Sequence, residues 1–300
     1  MRYSKPALSI NAQLRQLKRR GLTVTDHATA KHYLRSVGYY RLEGYWWTMQ
    51  RDAVRHLFRR GSTFADVVTR YNCDRELRLI ALNMIERVEI GVRTQVIYHL
   101  AMTHGPFWFE DPALAKHPGH HAANLRKLER EVRRSQEKFI VEHRRKYHRD
   151  PRNPPAWKSL EVVSFGLLSK MYRNLDDGLP EKTAIAANLG LPTVPLLENW
   201  LHAIALLRNV CAHHSRLIER VLTVWPNLPA RLPAPWMNAA GVNAQSAYAD
   251  LCCLQYLLHA ISPDNRFPQR LTQLQTDYPS VNLATFGFPA NWQHQALWKS

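Results

Sequence analysis

Acidic residues are scarce in this chain: 24 Asp and Glu stand against 41 Lys and Arg across 300 residues, a formal net charge of +17 with histidine neutral. An excess of that size attracts polyanions and speeds their arrival, though it says nothing about fold. Nucleic acid is the leading partner, because neutralising phosphates supplies most sequence-independent affinity; an anionic membrane surface is the lesser one. Long apolar runs are lacking too. None approaches the roughly 18 residues of a membrane span, and the opening Met1-Arg-Tyr-Ser-Lys-Pro6 has no apolar block of the kind a secretion signal carries. Cysteine is confined to Cys73, Cys211, Cys252 and Cys253, with no CxxC pair and no spacing of a disulfide framework. The expected setting is a reducing cytoplasm, with no membrane partner.

Several kinds of chemistry are also missing. No Gly-rich phosphate loop, Ser/His/Asp pattern or pair of carboxylates rises above background. His117, His120 and His121 cluster, but Pro118 and Gly119 suggest a loop with no nearby cysteine partner, so neither a metal site nor a cofactor is expected. There is no internal repeat, and no convincing run of alternating strands.

What the chain does have is apolar helical periodicity. A hydrophobic share of 45%, with 10% aromatic residues, suits a packed chain rather than a disordered one. Residues 9–20 read as a basic helix closed by Gly21, and Asp26 can cap a second running to about Val37. The aromatic stretch Gly38-Tyr-Tyr-Arg-Leu-Glu-Gly-Tyr-Trp-Trp47 has no assignable local structure; its rings fit core packing, or stacking on unpaired bases. Phe64 to Leu100 is the longest helical pattern, apolar nearly all round and therefore buried. Arg75, Glu86, Glu89 and Arg93 nevertheless share a narrow arc of it. Charges placed there are either a network tying helices together or support for a site.

Residues 120–149 read as one strongly charged helix. Arg126, Lys127, Arg130, Arg133, Arg134, Arg144, Arg145 and Lys146 are its candidate RNA contacts; the alternative is a solvated face of i,i+4 pairs. Asp150-Pro-Arg-Asn-Pro-Pro155 breaks it. Helices are expected near 157–174, 181–189, 195–222 and 251–261, with prolines excluding one over 223–242. The expected fold is all-α: an N-terminal helical and aromatic region over 1–62, a helical core over 63–222, and a Pro-punctuated extension over 223–300.

The most informative segment is Trp200-Leu-His-Ala-Ile-Ala-Leu-Leu-Arg-Asn-Val-Cys-Ala-His-His-Ser-Arg216. At about 100° per residue, Trp200, Ile204, Leu207, Cys211 and Ile218 form an apolar stripe. His202, Asn209, His213, Arg216 and Arg220 gather opposite it, and His214 points closer to the core. Arg208 and His213 share their spacing with Arg51 and His56, so spacing alone carries no weight. The setting does: arginine binds phosphate, and histidine exchanges protons near neutral pH. On one helix Arg208 and His213 would lie about 140° apart with a rise of about 7.5 Å. Two such helices paired across a homodimer would close that gap.

These residues carry a family resemblance. Arg208-Asn-Val-Cys-Ala-His213 resembles the Arg-polar-x-x-x-His motif of HEPN-domain ribonucleases. The wider pattern resembles the bacterial abortive-infection (Abi) family of the AbiD/AbiF type. Its matching blocks are Gly38 to Trp47, Tyr71-Asn-Cys-Asp-Arg-Glu-Leu-Arg78, Ile85-Glu-Arg-Val-Glu-Ile-Gly-Val-Arg-Thr94, Gly105-Pro-Phe-Trp108, Trp157 to Ser169 and Trp200 to Arg220. The resemblance implies a HEPN-like helical bundle, metal-independent RNA cleavage and a role in phage defence of the toxin–antitoxin kind. Association with a small non-coding RNA, as in some members of the family, would make the chain part of a ribonucleoprotein.

Both readings converge on one chemistry. RNA carries its own nucleophile, the 2′-hydroxyl. His213 would move the proton as general base or acid, and Arg208 would bind the non-bridging oxygens as charge builds. Asn209 would orient either group, with Arg216, and more remotely His214, Arg75, Glu86, Glu89 and Arg93, in support. The products would be a 2′,3′-cyclic phosphate and a 5′-hydroxyl. The alternative is a non-catalytic RNA-binding protein in which Arg208 and His213 hold RNA or one another.

Overall fold

Local capping starts three of the longer helices close to where the sequence suggests. In the computed structural model, which describes residue 2 and residues 6–299, the Ser9 hydroxyl accepts from the Ala12 amide to open α1 (Ile10–Arg19). Asp26 does the same for α2 (His27–Ser36) through Thr29. Residues 1 and 3–5 of the opening segment, read above for a leader, lie outside the described residues. The aromatic stretch folds as α3 (Tyr39–Trp46), entered through Gly38 at φ 93°, a conformation that glycine adopts without steric cost. Its Leu42, Tyr45 and Trp46 are buried, so these rings pack rather than stack on bases, whereas Tyr40 stands 88% exposed. A two-stranded hairpin, β1 (Gln50–Asp52) with β2 (Leu57–Phe58), follows.

The axis of the molecule is α4 (Phe64–His104), 41 residues begun by a reciprocal capping box between Thr63 and Asp66. Leu77, Ala81, Met84, Val88 and Val92 lie on one buried stripe as their spacing predicts, extended by Val96 and Leu100; Leu79 and Ile90 on its other faces are exposed, so the helix is not buried all round as expected. The charged segment after it is two helices rather than one: α5 (Pro118–Arg134) and α6 (Lys138–Lys146), separated by extended backbone at Ser135. The break has a packing cause. α5 buries Leu128 and Val132, whereas Ile140, also fully buried, would sit about 120° away from Leu128 on an unbroken helix.

Two further helices are also shorter than their sequence patterns. The stretch near 157–174 divides into α7 (Ala156–Ser159), a 3-10 turn and α8 (Phe165–Arg173), because Val163 is extended. After α9 (Pro180–Asn188) comes α10 (Val194–Ala212), which stops ten residues short of the expected 222. The Pro-rich stretch is irregular, and α11 (Ala247–Ile261) and α12 (Phe267–Asp277) follow it. α10, α11 and α12 all pack along α4, so the C-terminal residues complete the core. The fold is all-α, with the small hairpin as its only sheet among the described residues. No helix among them is long and apolar enough to cross a membrane, and all four cysteines are buried and free.

Candidate active site

The end of α10 decides the geometry of the Arg/His segment. Trp200, Ile204, Leu207 and Cys211 are buried as their stripe predicts. The helix closes with His213 as its C-cap and His214 in the left-handed region at φ 56°. The His214 amide donates to Cys211 O at 3.0 Å and the Ser215 amide to Val210 O at 2.9 Å, a Schellman-type closure. Residues 213–220 therefore leave the helix, and the expected shared face of Asn209, His213, Arg216 and Arg220 does not exist. His214 does not point toward the core either; it is exposed, as is His213.

A buried carboxylate on α4 accounts for the departure. Asp74 is fully buried, and its Oδ1 accepts the amides of Leu217 at 2.7 Å and Ile218 at 2.8 Å. Its Oδ2 accepts the Tyr45 hydroxyl at 2.7 Å and pairs with the buried guanidinium of Arg78. Continuing α10 would commit the Leu217 and Ile218 amides to helical carbonyls and leave Asp74 with fewer donors, a costly state for a buried charge. Burial, and then the Asp74 charge, hold the Tyr45 hydroxyl well above the ordinary tyrosine range, so it remains a donor.

Further contacts stitch the loop to α3. Arg41 Nη1 donates to His214 O at 2.6 Å, and Arg216 Nη1 to Gly44 O at 2.6 Å. Gly44 admits that arginine closely: a Cβ there would lie 3.2 Å from Arg216 Cδ. Glu219, beyond them, pairs with Arg70 at 2.6 Å and accepts from Thr48 at 2.8 Å. Arg216 is thus tied to backbone and is not a free phosphate contact through that nitrogen.

Against this fixed loop, three side chains stay uncommitted. Arg208 is half-buried, Asn209 and His213 are exposed, and none of the three makes a side-chain hydrogen bond or ion pair among the described residues. The expected supporting residues lie elsewhere. Arg75 is exposed and pairs with neighbouring Glu76, and Glu86 is exposed. Arg93 pairs with Glu89 at 2.8 Å and donates to Val163 O at 3.0 Å, so that pair fastens α4 to the segment before α8. At 19 residues from Asp74, Arg93 is about 28 Å along the helix, too far to serve the loop.

The basic candidates divide between two helices. Arg126, Lys127, Arg130, Arg133 and Arg134 are exposed on α5, and Arg145 and Lys146 on α6. Arg144 is half-buried and donates to Val132 O, tethering α6 to α5. Among the described residues no group of three His, Cys, Asp or Glu side chains is placed to hold a metal ion. His117 and His120 are not in a loop: they form the N-cap and first turn of α5.

Sequence reasoning did not single out Arg41, Tyr45, Asp74 and Arg78. A signal was present, since Asp74 and Arg78 stand four residues apart within the apolar stripe of α4, where an ion pair must satisfy itself.

A family model described as Abi-like protein matches residues 32–219, well over half of the chain. That span takes in Arg41, Asp74 and the whole tethered loop through Glu219. No curated protein and no solved structure matches the chain.

Proposed function

The chain belongs to the Abi-like family, and on that premise we propose that it is an endoribonuclease of an abortive-infection defence against phage. The observation that carries this reading is the set of uncommitted side chains at the end of α10, namely Arg208, Asn209 and His213, beside a loop whose backbone is held by Asp74. Catalysis favours this combination: groups free to meet substrate on a support that does not need to reorganise.

In the proposed reaction His213 takes the proton of an RNA 2′-hydroxyl or returns one to the leaving 5′-oxygen, a contribution of typically 10²–10⁴-fold. Arg208 binds the non-bridging oxygens of the phosphorane, where a bidentate guanidinium suits the geometry. Asn209, one residue along, donates to phosphate or orients the arginine. Cleavage leaves a 2′,3′-cyclic phosphate and a 5′-hydroxyl. The cations of α5 and α6 hold the rest of the RNA through its backbone, and a small non-coding RNA bound there is part of the proposal.

A purified His213→Ala variant separates the enzyme from the RNA-binding protein. The expected result is loss of at least about 100-fold in cleavage rate, with RNA affinity within about two-fold of the parent. Undiminished cleavage by a His213→Ala, His214→Ala double variant overturns the mechanism. End-labelling of the products checks for the cyclic phosphate.

A further inference from the structure

A second cationic site lies away from the His213 loop, where the start of α5 meets the end of α8. It is a cleft of about 780 Å³, open to solvent, lined by Lys116, His117, His120, Lys127, Lys170 and Arg173. Only Lys116 has an acidic partner, Asp177. The side chains of Lys127, Lys170 and Arg173 make no hydrogen bond or ion pair among the described residues. Asn174 completes the wall; it is more than nine-tenths buried, its Nδ2 donates to His117 O at 3.1 Å, and its Oδ1 has no partner.

The backbone adds to the same field. α5 is 17 residues long and begins at this cleft, with Pro118 at N1 and no side-chain cap from His117. The amides of Gly119 and His120 therefore lack helical acceptors, and the positive end of the helix dipole lies where His117 and His120 line the cleft. The field reaches α10 as well. Burial, reinforced by Arg173 and Lys170, holds His202 below the ordinary histidine range.

We propose that this cleft binds a terminal, multiply charged phosphate, either the 5′ end of an RNA chain or the polyphosphate of a free nucleotide. Convergence is the reason for a terminal group rather than an internal phosphodiester. Three unpaired cations from two helices, at the positive end of α5, line one pocket and supply more positive charge than a single phosphodiester needs. A track for continuous backbone looks different, as on the outer side of α5, where Arg126, Arg130 and Arg133 follow one another at i, i+4 and i+7 in a line. His202 and Asn209 lie about 20° apart around α10 and about 10 Å along it, so the cleft flanks the helix face that leads to His213.

The test uses a labelled oligonucleotide with 2′-O-methyl riboses, which lacks the nucleophile, so its outcome is independent of whether the protein cleaves RNA. Fluorescence anisotropy with the full-length protein compares a 5′-triphosphate end with a 5′-hydroxyl end on the same sequence. The triphosphate is expected to bind about ten-fold tighter. That preference should collapse in a Lys170→Gln, Arg173→Gln variant and in Lys127→Gln, all three residues being exposed, while Arg126→Gln leaves it intact. Displacement of the triphosphate oligonucleotide by ATP at comparable affinity assigns the cleft to free nucleotides; failure of ATP to displace it assigns the cleft to RNA ends. Equal binding of the two ends with no binding of ATP, or a preference that survives the double variant, overturns the proposal.

Discussion

Asp74 connects chemistry to architecture because one carboxylate serves four donors from three parts of the chain: Tyr45, Arg78, Leu217 and Ile218. Removing it strands a buried guanidinium and two backbone amides at once. Asp74→Ala is therefore expected to cost about 3–5 kcal/mol, read as a fall in the denaturant midpoint, and a loss below about 1 kcal/mol would mean the network is not what holds the loop. Asp250 on α11 is the opposite case. It is fully buried, neither oxygen has a partner among the described residues, and burial alone pushes its carboxyl well above the usual range. A carboxyl that binds its proton more tightly when folded contributes most below its unfolded pKa, and that contribution fades as pH rises toward the folded value. Asp250→Asn, which mimics the protonated acid, should match the parent in melting temperature near pH 4 and exceed it by a few degrees at pH 8. An advantage that is greater at pH 4 would contradict this assignment.

Elements show what was legible in the sequence and why the rest was not. The stripes of α4 and α10 were readable because burial repeats every turn, and the starts of α1, α2 and α4 because Ser9, Asp26 and Thr63 cap locally. Helix ends were less readable, since distant partners set them: α10 stops where a carboxylate 143 residues away takes the next amides, and α5 stops so that Ile140 can turn inward. Arg208 and His213 stood out as candidates by residue type; the loop that begins at His213 did not, because nothing local to 213–220 names Tyr45 or Asp74. The outer face of α5 offers an element-scale prediction. Replacing Arg126, Arg130 and Arg133 with glutamine should reduce the slope of log affinity for single-stranded RNA against log salt by about 2, from roughly 0.7 per contact. Binding curves at several salt concentrations measure it, and an unchanged slope would place the RNA elsewhere.

At the scale of the whole molecule, the proposed catalytic pair needs its own geometric test. With α10 ending at Ala212, Arg208 sits on the helix and His213 caps it, its amide still donating to Asn209 O at 2.9 Å, so the two residues stay about 140° apart around the helix end. We propose that two copies pair there, because Arg208, Asn209 and His213 are unpartnered within one chain among the described residues, as groups completed by a second copy would be. Symmetry gives a quantitative test. In a two-fold dimer with composite sites, a chain carrying Arg208→Ala and one carrying His213→Ala form a mixed dimer with one site fully wild-type and one doubly altered. Statistical exchange makes about half of the dimers mixed, each with half its sites intact, so an equimolar mixture of the two inactive variants should recover about a quarter of the parental cleavage. Sedimentation of the same mixture reports whether dimers form. Dimers with no recovery of activity would locate Arg208 and His213 of each site in a single chain, and recovery that depends on concentration would tie activity to assembly.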